Sequence, residues 1–77
     1  MAVDNTGNLY VSDINANVVQ EFQENGIYVQ TFGTGILTQP NGVAVDSAGN
    51  LYVAEDGNNQ IQVFSPTGTA KGEREVS

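Results

Sequence analysis

Short apolar runs recur along the chain, each cut off by a cluster of Asp, Asn, Gly, Ser or Pro. Residues 9–13, 18–22 and 27–32 form such runs in the first half, and residues 43–46, 51–55 and 61–64 in the second, with a further short strand around Val3 and Val45. The breaks read as hairpin turns. Asp4-Asn5-Thr6-Gly7 and Asp46-Ser47-Ala48-Gly49 place Asp first and Gly fourth, which suits a type I turn followed by a residue with positive φ. Asp56-Gly57-Asn58-Asn59 and Ser65-Pro66-Thr67-Gly68 are further turns, with Pro66 fixing φ at the second position. Three hairpin turns per half predict four antiparallel strands per half. Leu51-Tyr52-Val53-Ala54 and Val63-Phe64 are apolar at consecutive positions, so their strands need cover on both faces. No apolar stripe persists at helical spacing, and the fold class is all-β.

The two halves are copies. Ala2-Val3-Asp4 recurs without a gap as Ala44-Val45-Asp46, 42 residues on, and Gly7-Asn8-Leu9-Tyr10-Val11 as Gly49-Asn50-Leu51-Tyr52-Val53. Asn17, Gln20, Phe22 and Gly26 find Asn59, Gln62, Phe64 and Gly68 in the same register. A period of that length is the size of one blade of a β-propeller. The chain divides into a first blade at residues 1–33, a linker at 34–42 and a second blade at 43–77. A blade is a four-stranded sheet packed between neighbours. Two blades alone could instead form a simple two-layer sandwich, which would leave the outer face of each sheet in water.

The second copy resembles an NHL repeat. The likeness is carried by the stretch from Pro40 through Asn41-Gly42-Val43-Ala44-Val45-Asp46 to Leu51-Tyr52-Val53-Ala54, and continues over Asn59-Gln60-Ile61-Gln62-Val63-Phe64 to Gly68. The first copy shares it. The resemblance implies a closed propeller of six blades, which would require three chains. The family motif of Asn, a basic residue and an aliphatic one reads Asn17-Val18-Val19 and Asn59-Gln60-Ile61 here, so the base is missing from both copies. The acid that precedes it is Asp13 in one copy and Glu55 in the other, which leaves open any polar contact made between acid and base. Some relatives bind RNA through a basic face, and others are lyases or hydrolases that use His and metal ligands; the residues for either are absent.

Size and charge narrow the function. A chain of 77 residues buries only ~60% of its unfolded surface, and such chains usually need a staple. With no Cys and no His, disulfides and zinc sites are excluded, and a partner chain is the staple that remains. The net charge is −7, and Lys71 and Arg74 are the only basic residues. Such a surface repels a phosphate backbone or an anionic membrane. No segment is long and apolar enough to span a bilayer, and the N-terminus lacks the basic and apolar regions of a signal peptide. A cytoplasmic location is expected if the chain is made as it stands.

Candidate chemistry is sparse. Asp4 and Asp46 are turn acids whose carboxylates accept from backbone N–H groups; carried around a ring they could line a channel and hold a hard cation. Asp13, Glu55 and Asp56 read as a solvated rim, and Glu21 and Glu24 as exposed. Ser12, Ser47 and Ser65 have no His to activate them, and Gly33-Thr34-Gly35 is not followed by the Lys and helix of a phosphate loop. Catalytic, cofactor and metal residues are therefore none, and the chain is expected not to be an enzyme. Tyr10, Phe22, Tyr52 and Phe64 are expected to pack between blades, with Ile36 and Leu37 as an apolar pair plugging the groove beside the linker. Residues 71–77 are expected to be the weakest stretch, either a frayed outer strand or a tail across the seam between chains, because Gly72 interrupts a run that has lost most apolar residues. The expected function is structural: a self-assembling scaffold module, itself its own partner as a homotrimer, with two or four chains as alternatives and no nucleic acid or membrane. A ring that presents its channel or face to a peptide, small ligand or cation is the alternative.

Overall fold

The computed structural model describes residues 1–57 and 59–75, the last two of these as backbone only. Eight strands run in chain order: β1 Ala2–Val3, β2 Leu9–Asp13, β3 Val18–Phe22, β4 Tyr28–Phe32, β5 Pro40–Val45, β6 Leu51–Glu55, β7 Gln60–Phe64 and β8 Ala70–Glu75. They form two antiparallel meanders, β1-β2-β3-β4 and β5-β6-β7-β8, and among the described residues there is no helix.

The turns follow from their sequences. Asp4 N–H donates to Asn8 O and Gly7 N–H to Asp4 O, and Asp46, Asn50 and Gly49 repeat both bonds. Gly7 and Gly49 take φ of 89° and 88°, the left-handed region that only glycine enters without strain. The third turn of each sheet is built alike, with Gly26 N–H on Gln23 O and Gly68 N–H on Ser65 O. Both sheets also carry an irregularity at the same place, between Glu21 and Phe22 opposite β4 and between Val63 and Phe64 opposite β8.

The sheets stack face to face. Because strand side chains alternate, one parity of each sheet points into the stack. From the first sheet these are Tyr10, Val19 and Phe32, with Ala2 beside them; from the second they are Leu51, Val53 and Phe64, with Val43 and Val45 beside them. Val19, Leu51, Val53 and Phe64 are fully buried. Leu37, from the segment joining the sheets, completes the cluster.

Three expectations change at this level. β5 starts at Pro40, so the last residues of the expected linker at 34–42 already belong to the second sheet. Pro40 has no N–H to lose from the ladder, and as the first residue of an edge strand it is placed where proline is tolerated. The outer strand of the second sheet is paired, not frayed: β8 runs beside β7 from Phe64↔Ala70 to Gln60↔Glu75. Ladder hydrogen bonds come from the backbone and do not require the apolar side chains that β8 lacks; Val76 and Ser77 lie outside the described residues. Finally, the apolar pair of the linker is split. Ile36 and Leu37 both donate their N–H to Gly33 O, and this tight turn buries Leu37 but leaves Ile36 46% exposed.

Phe64→Ala should remove ~3–5 kcal/mol, since the ring is fully buried between the sheets. Urea unfolding followed by circular dichroism should show the variant largely unfolded at concentrations where the parent is folded. Phe22→Ala, at the half-buried equivalent position, should cost a single chain distinctly less.

Candidate functional site

The contact between the sheets is the best-built feature of the molecule. Its centre is an aromatic chain in which Phe32 lies 5.9 Å from Tyr10 and 5.8 Å from Phe64, tilted to the first and edge-on to the second. Such tilted arrangements satisfy the ring quadrupoles and add ~0.5–1.5 kcal/mol per pair beyond the area buried.

A frame of hydrogen bonds surrounds this apolar centre. Asp4 Oδ1 accepts from the Thr6 and Asn8 N–H groups and from Thr6 Oγ1, while Oδ2 accepts from the Tyr10 hydroxyl at 2.9 Å. Asp46 repeats the pattern with Ala48, Asn50 and the Tyr52 hydroxyl. Burial works against ionisation of Asp4, but the bonds from Thr6, Asn8 and Tyr10 outweigh it and hold the carboxyl below the ordinary carboxylate range. At Asp46 the Asn50 side chain and backbone are the main cause of the same lowering, with Tyr52 and Ala48 adding to it. The Tyr10 phenol is pushed well up, first by burial and then by the Asp4 and Glu21 carboxylates, so it remains a neutral donor. Both oxygens of each Asp are thus engaged by the residue's own repeat. The two turns line one shallow cleft, bridged by Asn5 Nδ2 to Ser47 O, and among the described residues no three acidic side chains converge as metal ligands would.

Two carboxylates lie where the sequence reading did not put them. Glu21 is 4% exposed and Glu55 2%, not solvated. Glu21 accepts from Gln30 Nε2 at 2.8 Å, and the same amide also donates to Pro66 O of the second sheet. Glu55 accepts from Gln60 Nε2 and from the Thr38 N–H, both at 2.8 Å. Gln60 occupies the position where the family motif carries its base, so a neutral amide now holds the acid. In the first sheet that position is Val18, and Asp13 turns to its own hairpin, accepting from the Asn15 and Ala16 N–H groups. The segment between the sheets is fastened further by Gln39 N–H on Asn17 Oδ1 and Asp56 N–H on Gln39 O. Strand parity held the missing signal: Glu21 is two residues from the buried Val19, and Glu55 two from the buried Val53, so both point inward.

The expected packing residues separate into three groups. Tyr10, Phe64 and Leu37 lie in the core between the sheets. Phe22 and Tyr52 are half-buried on the opposite, outward faces, Phe22 lying edge-on to Tyr28 at 6.0 Å. Ile36 is outside the packing, for the reason given above. The outward face of the first sheet exposes Val3, Val11 and Tyr28; that of the second holds an apolar depression lined by Gly42, Val43, Ala44, Tyr52, Ala54 and Ile61.

Gly33 sets the position of Leu37. Its φ of 82° disfavours any side chain, and a Cβ there would overlap the Leu37 side chain. Gly33→Ala should therefore expel Leu37 and lower the melting temperature by several degrees, as differential scanning fluorimetry would show. Acid should destabilise the fold. A carboxylate with a lowered folded-state pKa adds stability that is present above its unfolded value of ~3.9 and is lost as pH falls through the folded value. The double variant Asp4→Asn, Asp46→Asn should be less stable at neutral pH and should lose less stability on acidification below about pH 4, measured by urea unfolding across pH.

No curated protein matches the chain. Residues 37–64, which span Leu37, the turn acid Asp46, the Glu55–Gln60 pair and Phe64, match the family model of the NHL repeat. With its two four-stranded antiparallel sheets, the chain is consistent with a β-propeller fragment whose second sheet is similar to an NHL repeat.

Proposed function

We propose that the chain is a protein-interaction module of the β-propeller type that stacks its sheets against further copies of itself and serves as a structural scaffold without catalysis. The observation that carries this reading is that both outward sheet faces are apolar although only the inward faces are covered within the chain. Uncovered apolar faces of this kind mark sites of protein association. A propeller blade is stable when packed on both sides, and a closed ring supplies that packing to every blade. The habit of NHL propellers favours six blades, hence a homotrimer. Absence of His and Cys, with the turn acids occupied by their own hydrogen bonds, supports a role without bond-making chemistry.

Size-exclusion chromatography with light scattering should give three times the chain mass of 8.1 kDa. A monomer at micromolar concentration would overturn the stacking reading, and a tetramer would change only the count. Each copy carries a net charge of −7, so copies repel at long range. Added salt screens that repulsion over a Debye length of ~8 Å at physiological strength, and assembly should tighten between low and physiological salt. RNA should not bind at physiological salt; a salt-sensitive affinity for RNA in a filter-binding assay would contradict the charge argument.

A further inference from the structure

The two outward faces are not merely apolar: at nine positions they repeat, or nearly repeat, the residues of the contact already made inside the chain. Register assigns each residue to a face. In the first sheet Val3 pairs with Leu9, Leu9 with Phe22 and Val11 with Gln20, so these five share the outward face. Their counterparts one repeat on are Val45, Leu51, Val53, Gln62 and Phe64, identical at all five positions. Those counterparts form the inward face of the second sheet, where Leu51, Val53 and Phe64 are fully buried against the first.

The other half behaves the same way. Ala44 pairs with Tyr52, and Ala54 with Ile61, on the outward face of the second sheet. Their counterparts one repeat back are Ala2, Tyr10, Ser12 and Val19. Tyr10 and Val19 are core residues and Ala2 packs against them, all on the inward face of the first sheet. The molecule therefore displays outward a large part of each side of its own interface; the exception is the ladder position of Phe32, which Arg74 takes opposite Ile61. These nine positions carry no charged residue; Asp13, paired with Val18, lies at the end of the first of these faces, and Arg74 is the ladder partner of Ile61.

We propose that copies of the chain dock head to tail: the outward face of the second sheet of one copy seats on the outward face of the first sheet of the next, in the register of the internal contact. This rests on the reading that the chain stacks on itself, and adds the surfaces, their sense and their residues. The contact is heterologous, one kind of face always meeting the other kind, so each added copy presents the same free face as the one before it. The alternative, an isologous dimer, would press like on like: Phe22 against Phe22, or Tyr52 against Tyr52.

Blocking one face at a time separates the two. Val11→Arg places a charge on the first-sheet face, where Val11 is exposed, and Ile61→Arg does so on the second-sheet face. Each variant alone should be monomeric by light scattering. An equimolar mixture should form a one-to-one heterodimer of twice 8.1 kDa and stop there, because each variant retains the face its partner lacks. If either variant alone dimerises, or if the mixture stays monomeric while the unaltered chain assembles, head-to-tail docking is overturned and stacking itself survives. If the unaltered chain stays monomeric, the stacking reading fails, and this one with it. Circular dichroism verifies that both variants keep their sheets; should either unfold, Val11→Thr and Ile61→Thr take their places, each alone weakening assembly and neither changing the secondary structure.

Discussion

The position of Phe32 governs the rest of the structure. Its ring is the point where the first sheet, the second sheet and the joining segment meet, in contact range of both Tyr10 and Phe64 and within the same cluster as Leu37. A chain of this size has a single place to bury large side chains, and the faces that do not meet there are left to solvent or to another molecule. The turn chemistry, the registers and the placement of the linker all serve to bring these rings to one level of the stack. The ladder position of Phe32, opposite Val19, is held in the second sheet by Arg74, opposite Ile61. The repeat is thus least faithful at the residue on which the internal contact depends most.

The architecture was legible because it rests on signals that act locally. Turn residues such as Asp4 and Gly7 fix their own backbone, and the repeat doubles every such signal. β2, β3 and β6 have the bounds that their apolar runs imply. The site was less legible. Phe22 and Phe64 are equivalent in sequence, yet one is half-buried and the other fully buried, because equivalence places them on the same side of successive sheets and only one of those sides is covered within the chain. Glu21 and Glu55 looked like surface charges because charge suggests solvent, whereas strand parity decides the direction. Leu37 and Ile36 differ by one residue in a turn whose geometry depends on the left-handed conformation of Gly33.

The buried acids Glu21 and Glu55 are held by side-chain amides and a backbone N–H. A carboxylate taken from water needs donors, and an amide supplies them without a second charge to desolvate. Gln30 serves Glu21 and reaches across to Pro66, and Gln60 serves Glu55 while the backbone of Thr38 adds its own N–H. Gln30 thereby links Glu21 to the second half of the chain, and Glu55 is tied directly to the segment between the sheets. Among the described residues no buried side-chain nitrogen or oxygen is left without a partner.

The irregularity shared by the outer strands bears on a hazard that every open sheet faces. β4 and β8 are terminal strands, and a flat terminal strand invites edge-to-edge addition of the kind that seeds amyloid. An extra residue at the same level in each, Val29 in one and Lys71 in the other, breaks the regular spacing of free N–H and C=O groups and increases the local twist. Lys71 turns its ammonium back over the sheet and donates to Asn50 Oδ1. A fifth strand laid along either edge would meet the bulge after a few residues, which disfavours continuous edge-to-edge pairing even where the flanking side chains, as in Ile27-Tyr28-Val29, are sticky enough to invite it.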